Sequence, residues 1–183
     1  MNYYVLQVAP RQEKKTEMYM KKQLPAGLYD RCFHPTRRMR RKYRGKWVEV
    51  HEKLLPGYVF VTTECAEELY IQLRKIPLFT RLLGKDAENF VRLSDEEEQW
   101  LDMLLGQMPT GEKNEVGLSQ IAFGEGSEIR IVSGPLKDMQ GMVKKINLHK
   151  RIAEIEVPFM GGKRVVFLGI EMAEKKQSED ENV

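Results

Sequence analysis

Leu54-Leu55-Pro56-Gly57-Tyr58-Val59-Phe60-Val61 is a run of apolar, branched and aromatic residues interrupted once, by Pro56-Gly57. It reads as a buried strand entered through a turn. Just before it, Arg37-Arg38-Met39-Arg40-Arg41-Lys42-Tyr43-Arg44-Gly45-Lys46 holds seven cations in ten residues and no acid. Such a run repels itself and does not form a core. A basic loop or extended hairpin fastened to a rigid strand is a device for gripping a polyanion, of which nucleic acid is the commonest.

Working outward, Tyr3-Tyr4-Val5-Leu6-Gln7-Val8 reads as a second buried strand. A helix is expected over residues 11–24, begun near Pro10 and ended by Pro25-Ala26-Gly27. Arg11, Lys14 and Lys15 recur on or near one face of it. Further strands are expected over 29–35, 47–52 and 90–93, and a helix over 66–75. Ser94 and Glu97 have capping-box spacing, with Asp95, Glu96 and Glu97 suited to the positive end of a helix over 95–105. Strands alternating with amphipathic helices indicate a mixed α/β sandwich over residues 1–107.

Residues 108–123 lack periodicity, are rich in breakers at their start, and read as a linker. Beyond them come short branched runs at 128–132, 141–146, 151–157 and 163–170, separated by Gly, Pro and Asn. Four short strands in so few residues read as a small closed or half-closed β-barrel over 124–174. A module of that size is near the limit of independent folding, so a fifth strand is expected near Glu171-Met172. The overall class is α+β, and 175–183 reads as a disordered tail.

The net charge of +3 hides a polarised chain. Residues 1–60 carry 14 Lys/Arg against 5 Asp/Glu, residues 61–127 carry 6 against 13, and residues 128–183 carry 10 against 9. That separation suggests one face for an anion and another for something else. No apolar run approaches the roughly 18 to 20 residues of a membrane span, and no signal-type start is present, so no membrane partner and a cytoplasmic location are expected. Cys32 and Cys65 form no CxxC pair and read as free thiols; His34, His51 and His149 show no ligand spacing, so neither metal nor cofactor is expected. No phosphate loop, GxSxG or HExxH is present and no nucleophile with a base is in view, which points to binding and away from enzymatic activity.

The order and spacing of three segments carry a resemblance. Tyr3-Tyr4-Val5-Leu6-Gln7 is similar to the first strand of the NusG family of transcription elongation factors. Leu55-Pro56-Gly57-Tyr58-Val59-Phe60-Val61 resembles its most recognisable motif. Val132-Ser133-Gly134-Pro135-Leu136-Lys137-Asp138-Met139-Gln140-Gly141-Met142-Val143 resembles the KOW signature, a strand, a turn and a second strand opened by Gly141. The resemblance covers nearly the whole chain. It implies an N-terminal NGN domain, a linker and a C-terminal, SH3-like KOW barrel in a monomer. It also implies that the NGN domain docks on the clamp of RNA polymerase through Tyr3, Leu55, Pro56 and Tyr58, with Phe79 extending the patch. Read from the residues alone, Tyr3 and Tyr58 are equally well core aromatics.

Residues 35–52, with Gly45-Lys46-Trp47, and residues 76–98 look more like the operon-specialised paralogs RfaH and especially LoaP. That likeness implies processive antitermination on selected operons, with recruitment by an RNA hairpin in the operon leader. The RNA contacts expected are Arg11, Lys14, Lys15, Arg37, Arg38, Arg40, Arg41, Lys42, Arg44 and Lys46, gathered into one patch, with Tyr43 and Trp47 as stacking partners, although Trp47 begins an alternating strand and reads equally well as a core residue. In the barrel Lys144, Lys145, Lys150 and Arg151 join them. The barrel is further implied to recruit a ribosomal protein or a termination factor. Ile- and Val-rich strands favour a stable β barrel over a helical autoinhibited form. Two other readings stand beside this one: a general elongation factor without nucleic-acid selectivity, and a ribosome-associated KOW RNA-binding protein.

Overall fold

A computed structural model of the chain describes residues 2–75, 90–105 and 114–173. The N-terminal half is built on an antiparallel sheet of β1 (Asn2–Gln7), β2 (Arg31–Phe33), β5 (Tyr58–Thr63) and β6 (Phe90–Arg92), in the order β2-β5-β1-β6. The register runs from Asn2 opposite Thr63 to Gln7 opposite Tyr58. Because side chains alternate across a strand, this one sheet feeds two cores. Leu6, Val59 and Val61 face α1 (Glu13–Gln23) and α2 (Ala66–Lys75), where Met20, Leu69 and Leu73 close the packing. Val5, Phe33 and Phe60 form the other core with Trp100, Leu101 and Leu104 of α3 (Asp95–Leu105). The expected capping box is present: the Ser94 amide donates to Glu97 Oε2 at 2.8 Å, and the Glu97 amide to Ser94 Oγ at 3.3 Å.

The basic run is a strand, β3 (Thr36–Tyr43), paired in register with β4 (Lys46–Lys53). Arg44 and Gly45 turn the hairpin with φ of 47° and 81°. Two successive positive angles make the turn that matches the twist of the flanking strands, and Gly45 meets the second at no steric cost.

The C-terminal half is a curled five-stranded sheet of β8 (Ser119–Phe123), β9 (Ile129–Ser133), β10 (Val143–Asn147), β11 (Ile152–Phe159) and β12 (Gly162–Met172), ordered β10-β11-β12-β8-β9. Strict alternation along β11 puts Ala153, Ile155, Val157 and Phe159 inside. The fifth strand is not at Glu171-Met172, which end β12. It is β8, paired parallel to β12 from Ser119 opposite Ile170. The segment read as linker up to Phe123 therefore contains β8 and also β7 (Glu115–Val116), which runs parallel to Thr36 and Arg37. Gly141 lies in a 3-10 turn and the following strand opens at Val143. Residues 108–113, Phe79 and the expected tail lie outside the described residues.

The barrel packs on the N-terminal sheet. Phe159 meets Tyr58, Phe60 and Trp100 ring to ring, at centroid distances of 4.9, 6.2 and 6.4 Å. The Trp100 indole N–H donates to Pro158 O at 2.7 Å. The hairpin lies along β12 so closely that a Cβ at Gly169 would stand 2.4 Å from Arg38 O and 3.2 Å from Met39 Cα. Only glycine permits that approach. Burying an aromatic side chain of this kind contributes about 1.5–3 kcal/mol, so the seam between the halves holds a substantial share of a marginal total.

Candidate nucleic-acid interface

The cations expected to form one patch divide into two groups along the hairpin. Those nearer its base are neutralised within the chain. Arg37 donates from Nη1 to Phe167 O at 2.6 Å and pairs through Nη2 with Glu52 at 3.3 Å. Arg40 Nη2 pairs with Glu171 at 2.8 Å and stands 3.9 Å from Glu49. Arg41 reaches Glu52 Oε1 from Nε and Nη2 at 2.9 and 2.7 Å. Arg38 Nε lies 3.6 Å from Glu115, whose other oxygen is 2.6 Å from His51 Nδ1. Burial lowers the affinity of Arg37 for its proton, with Glu52 opposing. The Nε groups of Arg37 and Arg40 are buried without a partner among the described residues, a cost the seam carries.

The tip is different. Lys42, Arg44 and Lys46 have no ion pair among the described residues. Tyr43 is 61% exposed, with the Arg44 guanidinium 5.3 Å from its ring. Trp47 stands opposite Lys42, and Arg151 of the barrel lies over its ring at 4.5 Å. Lys150 is exposed beside Arg151. The hairpin and the β10–β11 turn, far apart in sequence, thus form one cationic, aromatic rim.

Not all expected members join it. Glu13, buried in the first turn of α1, accepts from Lys53 Nζ at 2.5 Å and from the Gly57 amide at 2.8 Å. Burial would raise its pKa, but these two donors outweigh it and hold the carboxyl below its ordinary value. This contact ties the start of α1 to Lys53, the base of β4. Seven residues at about 3.3 Å each separate that base from the tip. Arg11, Lys14 and Lys15 therefore adjoin the base, and the single patch becomes two. Lys144 is drawn to Glu156 at 3.4 Å, an acid it shares with Lys163, and Lys145 is exposed on the same edge strand. No hydrogen bond or ion pair among the described residues joins either to the hairpin.

The positions expected to meet the polymerase are largely covered. Tyr3 donates its hydroxyl to Asp102 at 2.8 Å, and burial followed by that carboxylate pushes its pKa up to about 12. Leu55 is 2% exposed, whereas Pro56 is exposed. Tyr58 lies under Phe159, its hydroxyl accepting from Arg164 Nη2 at 3.1 Å while the guanidinium sits 4.8 Å from its ring. Glu13, Phe159 and Arg164 had no sequence signal for these roles. The ion pairs of the base did have one: a turn at Arg44-Gly45 sets Arg40 opposite Glu49 and Arg37 opposite Glu52.

Cys32 and Cys65 are free, and burial pushes the Cys32 thiol up. Among the described residues no cluster of His, Cys, Asp or Glu could hold a metal ion, and no helix is long and apolar enough to cross a membrane.

Comparison with known proteins accords with this architecture. Residues 1–101 match the family model of transcription termination factor NusG, and residues 125–157 match the KOW motif. The chain is 30% identical over 173 residues to the transcription termination/antitermination protein NusG of Thermus thermophilus, spanning 88% of this chain and 91% of that one. It is 26% identical over 180 residues to NusG of Halalkalibacterium halodurans, spanning 95% and 98%. A solved structure described as domain interaction in Thermotoga maritima NusG shares the fold with a TM-score of 0.52, at 23% identity over 92% of this chain and 93% of that one. With its NGN sheet and its KOW barrel in this order, the chain belongs to the NusG family of transcription termination and antitermination factors.

Proposed function

We propose that this chain is a processive antitermination factor that docks on RNA polymerase through the NGN sheet and is recruited to selected operons by a structured leader RNA. The observation that carries the recruitment is the cation set Lys42, Arg44 and Lys46, unpaired among the described residues, with two aromatics at the end of the hairpin. Cations without internal partners release counterions when they meet phosphates, which supplies affinity. Aromatic and guanidinium planes beside them offer stacking to unpaired bases, where RNA selectivity resides.

Docking on polymerase would use Tyr3, Leu55, Pro56, Tyr58 and Phe79. Phe159 and Arg164 cover Tyr58 in the arrangement described. Engagement of that face therefore requires the barrel to move, and the two unpartnered guanidinium Nε groups lower the cost of opening the seam. A freed barrel would present Val165 and Phe167 of β12, already partly exposed, to a ribosomal protein or termination factor.

The test is binding of the purified chain to 5′ leader RNAs of its own genome at about 150 mM salt, against scrambled hairpins. One leader preferred by about three decades supports recruitment. A flat profile would favour the second reading, a general elongation factor, which the general NusG name of the relatives also suits.

A further inference from the structure

Trp47 and Arg151 come from different domains and meet at the surface end of the hairpin. Arg151 has φ of 54°, a left-handed backbone that a residue with a side chain adopts at a cost. The turn that imposes it is tied three times. The Lys150 amide donates to Asn147 Oδ1 at 2.9 Å, the Arg151 amide to Leu148 O at 3.2 Å, and the Ile170 amide to Arg151 O at 3.1 Å. This held turn aims a guanidinium plane at an indole, 4.5 Å away. Lys42 stands directly across from Trp47 on the hairpin, and Lys150 precedes Arg151. Of these four groups none is engaged with an acid among the described residues.

We infer that Trp47 and Arg151 form a two-domain stacking site for unpaired RNA nucleotides, with Lys42 and Lys150 on the flanking phosphates. This rests on the reading of the hairpin as a nucleic-acid interface and goes past it. It names the ligand as unpaired bases, not a duplex, and it makes the barrel part of the site. A π-face takes any base, so the pair supplies affinity for single-stranded loops and leaves sequence choice to their edges. A lysine in place of Arg151 would keep the charge and lose the plane.

The chain contains its own reporter. Of its two tryptophans, Trp100 is wholly buried, so Trp47 is the one open to a stacking base. Full-length chain is titrated with single-stranded RNA, the same sequence as duplex, and single-stranded DNA. Binding is read by anisotropy of the labelled nucleic acid and, in parallel, by tryptophan emission. The site predicts quenching that saturates with single-stranded RNA binding and vanishes in Trp47→Phe, which still binds. Trp47→Ala and Arg151→Lys should each weaken binding about tenfold, with unaltered thermal unfolding and an unaltered salt slope. RNA bound without quenching, and equally well by Trp47→Ala, would overturn the stacking site while leaving the hairpin as an electrostatic interface. Duplex RNA or single-stranded DNA bound more tightly than single-stranded RNA would overturn the ligand assignment. No binding of any RNA would overturn the interface itself.

Discussion

The two ends of one hairpin share a composition and differ in fate. At the base, Arg37, Arg38, Arg40 and Arg41 each meet an acid, and two of them reach across to β12. At the tip, Lys42, Arg44 and Lys46 meet none among the described residues. A count of cations cannot separate these roles; the position of Glu49, Glu52, Glu115 and Glu171 does. The base fastens the barrel to the NGN domain, and the tip carries the cations assigned above, as a proposal, to RNA.

The largest effect is expected at the tip. Neutralising Lys42, Arg44 and Lys46 together with Gln removes three phosphate contacts, each worth about 0.7 in the log–log salt slope for a single strand. RNA affinity should fall roughly 50-fold at 150 mM salt, measured by anisotropy, while the melting temperature stays where it was.

A smaller effect of the opposite kind is expected at the base. Glu13 grips Lys53 and the Gly57 amide from within the core. Glu13→Gln should cost about 1–3 kcal/mol at pH 7, read by urea unfolding, and spare RNA binding. Its carboxyl has a folded pKa below the ordinary 4.5, so its ionised form is favoured by folding. The stabilisation is present above that pH and is lost as pH falls through the lower folded value. The gap between wild type and Glu13→Gln should therefore close in acid.

The smallest effect sharpens the link to the barrel. Arg40→Met should cost about 1 kcal/mol, because the Arg40–Glu171 pair is partly open to solvent. Paired with Glu171→Gln in a double-mutant cycle, the two should be non-additive, with no change in RNA affinity.

Much of this fold was legible in the residues. The buried apolar strand at Tyr58 to Val61, the capping box at Ser94 and Glu97, and the limits of α2 all appear as read, because each rests on local chemistry. The barrel's fifth strand was misplaced because β8 pairs parallel to β12, a contact between residues some fifty apart that no local pattern encodes. Val116 and Gly117 look like linker, yet Val116 is fully buried once β7 lies against β3. The candidate site was legible as a composition. Its division into base and tip needed the register of the hairpin, and the covering of Tyr58 needed the seam with the barrel.

The most direct measurement is the salt dependence of leader-RNA binding for two variants side by side. One carries Gln at Lys42, Arg44 and Lys46; the other carries Gln at Arg37, Arg38, Arg40 and Arg41. The slope should be shallower by about 2 for the tip variant and unchanged for the base variant. A shallower slope for the base variant, with the tip variant indistinguishable from wild type, would contradict that expectation.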